Sequence, residues 1–176
     1  MMRRFAQIRR IVWPAAFSLS FAVASYAGEQ PAVHVEASNS AGPCRIAERT
    51  KAAVVRDYLE AWQSMATALD QNRPAALDAA FVGVAKDKIM ATVRQQQALG
   101  IRTDYRDRSH DLKVVFCSPE NLSVELTDAV EYEVAVFDRD QSQPPQQVRA
   151  HYVAVLTPTE TRWKVRMFQA EPPQAK

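Results

Sequence analysis

The stretch that decides the fold is Leu122-Ser123-Val124-Glu125-Leu126-Thr127-Asp128-Ala129-Val130-Glu131-Tyr132-Glu133-Val134-Ala135-Val136. Leu122, Val124, Leu126, Val130, Tyr132, Val134 and Val136 fall on one side of a period-two pattern, and Ser123, Glu125, Thr127, Glu131 and Glu133 on the other. Side chains alternate between the faces of a strand, so this run reads as a long strand with one face buried. Asp128 breaks the pattern by standing on the apolar side.

On the N-terminal side, Ser118-Pro119-Glu120-Asn121 is a turn, and before it Leu112, Val114 and Phe116 alternate with Lys113, Val115 and Cys117. On the C-terminal side, Asp138–Gln147 with Pro144-Pro145 reads as a polar loop. It leads to a strand over Val148–Leu156 and a last one over Thr161–Phe168, with Trp163, Val165 and Met167 sharing a side. Upstream of Gly100 the period is helical. Val55, Tyr58, Leu59, Trp62, Met65, Ala66 and Leu69 recur at three- and four-residue steps, predicting a helix from about Ile46 to Asp70. Pro74 suits a first helical position, so a short second helix is expected over Pro74–Val82, directing Leu77, Ala80 and Phe81 inward. A third, about Ala85–Leu99, ends at Gly100, which can supply a left-handed stop. Helices first and strands afterwards predict an α+β domain: three N-terminal helices packed on a curved antiparallel sheet of about four strands.

The ends read differently. Met1–Ala27 joins Arg3, Arg4, Arg9 and Arg10 to an apolar run and to Ser25-Tyr26-Ala27, the pattern of a secretory signal peptide cut after Ala27. Gly28–Pro43 lacks periodicity and is expected to be a flexible leader, residues 44–170 to form the single domain, and residues 171–176 a disordered tail. The 176 residues, 47% hydrophobic, suit one domain. The four arginines are the only charges in positions 1–27, so the net charge of +2 becomes −2 without them. That balance argues against a nucleic-acid or anionic-membrane binder, which needs a concentrated basic face. Four glycines leave no room for a phosphate-cradling loop, and two Cys with three His do not make a four-ligand zinc site. No cofactor and no metal is expected. The expected location is the periplasm or the cell exterior, with no stable membrane insertion after cleavage.

Export gives Cys44 and Cys117 a meaning, because an oxidising compartment lets them pair across 72 intervening residues. Such a bridge contributes about 4 kcal/mol by loop entropy. The alternative is two buried free thiols that act as small hydrophobes.

The order of elements over about Ala52–Phe168 resembles the nuclear-transport-factor-2-like superfamily, the cone-shaped fold shared with SnoaL-like proteins and ketosteroid isomerase. The cues are Tyr58, Leu59 and Trp62 on the opening helix, the short helix around Leu77, strands of increasing length, and the closing Arg162-Trp163-Lys164-Val165. Ala75-Ala76-Leu77, followed by Gln95-Gln96-Gln97-Ala98-Leu99-Gly100-Ile101 and Tyr105, is similar to the Tim44-like or plastid-division-regulator branch. The resemblance implies a cone lined by the first helix, a homodimer by analogy through the open sheet face, and, for that branch, binding of proteins or membranes.

Asp128 is the leading candidate for chemistry. A buried carboxylate must be paired or remain protonated, and in a cone-shaped pocket it could act as general acid or base. The structural alternatives are a bulge at Thr127-Asp128-Ala129 that turns it outward, or an ion pair with Arg106 or Arg149. Tyr132, four residues on, and Tyr58 are candidate partners, and Tyr58, Trp62 and Tyr132 are candidate pocket residues. His151 and Tyr152 are adjacent on a strand, so only one faces inward, and His151 is read as surface or rim. His110 and His34 are expected to be solvated. The alternating charges of Arg102–Arg108 suit a solvated strand edge or a polar docking edge.

The expected function is an exported, non-catalytic module binding a protein partner or a small apolar ligand. The rival is a small pocket enzyme of isomerase, dehydratase or hydrolase type using Asp128. An enzyme should place Asp128 at the bottom of an open cavity with a tyrosine in reach; an interaction module should fill the cone with side chains.

Overall fold

The computed structural model describes residues 30–36, 44, 46–139 and 141–172. The expected signal peptide, most of the leader and the last four residues lie outside them.

Helix α1 spans Glu48–Asp70 and buries Val54, Tyr58, Ala61, Trp62, Met65, Ala68 and Leu69 along one stripe. Just beyond its end, Asn72 turns the chain with a left-handed backbone (φ 49°). The expected second helix is only a 3-10 turn at Pro74–Leu77. The reason is a competing use of its backbone. The Ala80 carbonyl accepts from the Val165 N–H and the Val82 N–H donates to the Val165 carbonyl, both at 2.9 Å. The segment is therefore spent on tying Phe81 to the last strand. Helix α2, Gly83–Leu99, stops at Gly100 (φ 70°), whose N–H caps the Gln96 and Gln97 carbonyls. The domain thus has two α-helices where three are expected.

Six strands follow in space, though not all in sequence: β1 (Ala32–Val35), β2 (Ile101–Cys117), β3 (Val124–Asp138), β4 (Gln141–Ser142), β5 (Gln146–Pro158) and β6 (Trp163–Ala170). The sheet order is β1-β2-β3-β5-β6, with β4 beside β3. Two strands exceed the expected four. β4 is a two-residue pairing inside the proline-containing loop. β1 comes from the stretch read as flexible leader and runs parallel to β2, so the sheet is mixed. Its residues carry no burial pattern that a sequence could advertise, because β1 is held by edge hydrogen bonding. Glu36 N–H continues the ladder to the Leu112 carbonyl at 2.8 Å. Cys44 and Cys117 form a disulfide between the chain after β1 and the end of β2.

The core lies between α1 and the inner face of the sheet, where Trp62, Tyr58, Leu77 and Phe81 meet Leu112, Leu126, Val130, Leu156 and Val165. Full burial of each aliphatic side chain contributes roughly 1.5–3 kcal/mol. Leu122, expected on the inner face of β3, precedes the strand and is exposed. On β6 the alternation is interrupted. Val155 pairs with Met167 and Leu156 with Val165, leaving Arg166 as a bulge. The extra residue inverts the faces, so Phe168 enters the core and Met167, expected inside, is exposed.

Candidate functional site

A second bulge builds the polar centre of the molecule. On β2, Asp107 pairs with Tyr132 and Ser109 with Glu131, so Arg108 is the extra residue. Its effect is to bring Asp107, on one side of the irregularity, and His110, on the other, to the same inner face. Asp128 sits in the middle of β3, between Leu112 of β2 and Tyr152 of β5 in register. Its side chain therefore points at α1, where Tyr58 waits.

Asp128 Oδ2 accepts two hydrogen bonds: from the Tyr58 hydroxyl at 2.9 Å and from His110 Nδ1 at 2.7 Å. His110 Nε2 faces Asp107 Oδ2 at 3.7 Å. Burial alone would lower the His110 pKa, but the proximity of Asp107, the hydrogen bond to Asp128 and the charge of both raise it to about 9. At neutral pH the ring is accordingly an imidazolium, held between Asp128 and Asp107. Burial, and then the Asp128 charge, push the Tyr58 phenol well above its ordinary value, so it remains a donor.

No part of this group meets solvent: Asp128 and Tyr58 are 0% exposed and His110 1%. Aromatic rings close the space around it. Trp62 lies with its ring centre 5.4 Å from His110, 5.9 Å from Tyr132, 5.2 Å from Tyr152 and 5.4 Å from Phe168. Tyr152 stacks on Phe168 at 4.7 Å, and Tyr105 meets Tyr132 at 5.5 Å. Edge-to-face and stacked contacts of this kind add to area burial. The Tyr152 hydroxyl is raised by burial and by its neighbour Tyr132.

Asp128 therefore faces inward as its place in the pattern implies, but neither structural alternative foreseen for it holds. No bulge turns it outward, Arg106 pairs with Asp104, and Arg149 pairs with Glu131. Tyr58 is its phenolic partner; Tyr132 packs against Trp62 and Tyr105 without a hydrogen bond to Asp128 among the described contacts. His110, expected to be solvated, is the correction of most consequence. It stands two residues before Leu112 on the same face of the strand, and that alternation was the signal that could have found it. Tyr152 faces inward, while His151 and His34 are exposed. Asp57, unmarked by the sequence reading, is also buried. Its Oδ2 accepts from the Trp163 N–H at 2.7 Å and its Oδ1 from Arg56, which fastens α1 to the start of β6.

A carboxylate, an imidazole and a phenol in hydrogen-bond contact can move protons, yet they act on a substrate only when it can touch them. Among the described residues no group of three or more His, Cys, Asp and Glu is placed to hold a metal ion, and no described helix is long and apolar enough to cross a membrane.

No family model and no curated protein matches the chain. Solved structures do. The intermembrane-space region of the chloroplast protein ARC6 superposes with a TM-score of 0.61 at 14% identity, over 72% of this chain and 98% of that one. A putative scytalone dehydratase from Novosphingobium aromaticivorans superposes with a TM-score of 0.50 at 14% identity, over 72% and 89%. The chain has the nuclear-transport-factor-2-like fold. That fold serves both enzymes and non-catalytic binding modules.

Proposed function

We propose that the protein is an exported, non-catalytic binding module that meets its partner on the outside of the cone. The observation that carries this reading is the sealing of Asp128: a group without solvent-accessible surface, surrounded by Trp62, Tyr132, Tyr152 and Phe168, has no space beside it for a substrate. The Asp128–His110–Tyr58 group then acts as an internal electrostatic tie between β2, β3 and α1. Export is supported by the Arg-rich, apolar N-terminal pattern and by the Cys44–Cys117 disulfide, which suits an oxidising compartment. The partner contemplated is a protein or a small apolar molecule.

A second reading has one observation in its favour: Asp128 Oδ1 is buried and makes no hydrogen bond among the described residues. A pocket enzyme of isomerase, dehydratase or hydrolase type would need the aromatic rings to swing aside and admit substrate. One assay separates the two. The purified protein is tested against enolisable ketones, β-hydroxy ketones and simple esters, beside Asp128→Asn. The binding-module reading expects no turnover by either. Turnover by the wild type that is lost in a folded Asp128→Asn protein overturns it.

A further inference from the structure

Beside Asp128, His110 and Asp57 the molecule buries a further charge, and among the described residues this one has no counter-ion. Lys51, on the first turn of α1, is 7% exposed. Its ammonium donates to the Glu36 carbonyl at 2.8 Å, and no carboxylate pairs with it among the described residues. An ammonium carries three donors, and a buried ion held by one carbonyl is poorly compensated. Lys51 also lines a groove of about 640 Å3 between β1 and α1. That volume lies in the range of about 300–1,000 Å3 found for small-molecule sites.

The groove wall is made by one face of α1, distinct from the stripe that enters the core. Val55 and Leu59, two positions the helical period assigns to the core, are only partly buried and face this hollow with Ala52, while Val35 of β1 closes the other side. The lining residues run from Glu48 to Leu59. At 1.5 Å per residue the face is about 16 Å long. The remaining charges facing it are already answered or solvated. The Arg56 guanidinium, at the exposed rim, is neutralised by Asp57 at 2.8 Å, and Glu48 is exposed at the start of the helix. The outward carboxylate of Glu36 is taken by Lys113 at 3.1 Å. Among the described residues, Lys51 is the buried charge of the groove without an ion-pair partner, and it stands beside an aliphatic floor.

We propose that this groove binds a small amphiphilic monoanion, an alkyl chain ending in a carboxylate, with Lys51 as the counter-ion of the head group and Val35, Val55 and Leu59 as the bed of the chain. The aliphatic bed selects the chain and the single cation selects the sign and number of charges. The proposal rests on the binding-module reading and deepens it, naming the outer surface and the chemical class of the ligand.

The test uses the mature chain, isothermal titration calorimetry and backbone NMR. Decanoate below its micellar concentration is the probe, beside acetate, decanol and decyltrimethylammonium. Saturable binding of decanoate is expected, with shifts at Val35, Val55 and Leu59, while acetate and decyltrimethylammonium should fail and decanol should bind at least about tenfold more weakly. Lys51→Met should weaken decanoate at least about tenfold with the melting temperature kept or raised, and Lys51→Arg should restore it. Equal binding of the cationic surfactant, indifference to Lys51→Met, or no binding by decanoate overturns the proposal and leaves the sealed-cone reading untouched. Decanoate shifts confined to Tyr132, Tyr152 and Phe168 overturn both.

Discussion

His110 and Lys51 are both cations withdrawn from water by the same helix-on-sheet packing, and they differ in what surrounds them. His110 lies between Asp128 and Asp107, in a space filled by aromatic rings. Lys51 has one carbonyl and a hollow. A buried charge that its own chain has answered serves the fold, because removing either member strands the other. A buried charge left open has a cost in the free protein that an incoming counter-ion can relieve.

The comparison can be broken most directly at Asp128. Asp128→Asn should leave the imidazolium without its closest counter-charge and lower stability by about 3–5 kcal/mol in chemical denaturation. A loss below about 1 kcal/mol would mean that the pair contributes little to the fold, and the two regions would no longer differ as argued. Cys44→Ser with Cys117→Ser should cost about 4 kcal/mol by loop entropy, and hydrogen exchange should show β1 opening before β3, because the bridge fastens the groove side of the molecule. If β3 opens first, the disulfide supports the polar centre instead.

The pH dependence sharpens the contrast. The His110 pKa is raised from 6.5 in the free side chain to about 9 in the fold. The stabilisation is therefore complete below pH 6.5 and is lost as pH rises through about 9, a change of about 3 kcal/mol. Melting temperatures measured from pH 6 to pH 10 should fall across that window, and His110→Gln should flatten the fall. The smallest effect is expected at the other cation: Lys51→Met should leave stability unchanged or raise it by about 1 kcal/mol, since an apolar side chain replaces an ion without a partner. A large loss there would show that Lys51 is a tie like His110.

Much of the architecture was legible because it rests on periodicity. The α1 stripe through Tyr58 and Trp62, the Gly100 stop and the alternation of β3 each depend on residues a few positions apart. The misreadings fall where the backbone departs from a simple period. Bulges at Arg108 and Arg166 invert the faces of β2 and β6, so Asp107 joins His110 and Phe168 replaces Met167. The segment after Pro74 has a helical composition, yet its backbone groups are claimed by Val165 from far along the chain. β1 was hidden for a related reason: its four residues, Ala32–Val35, are too few to establish a period, and the pairing with Ser109–Leu112 is what makes them a strand.

The sequence by itself determined the α+β class, the inward place of Asp128 and the pair of cysteines able to meet, because hydrophobic period and residue type are local properties that survive any detail of packing. Only the tertiary structure decided what Asp128 touches, that Asp128, His110 and Tyr58 are closed off from solvent, and that Lys51 is buried beside a hollow. Those outcomes depend on one-residue register steps and on contacts between segments tens of residues apart, and a long-range hydrogen bond leaves no mark on the composition of either partner.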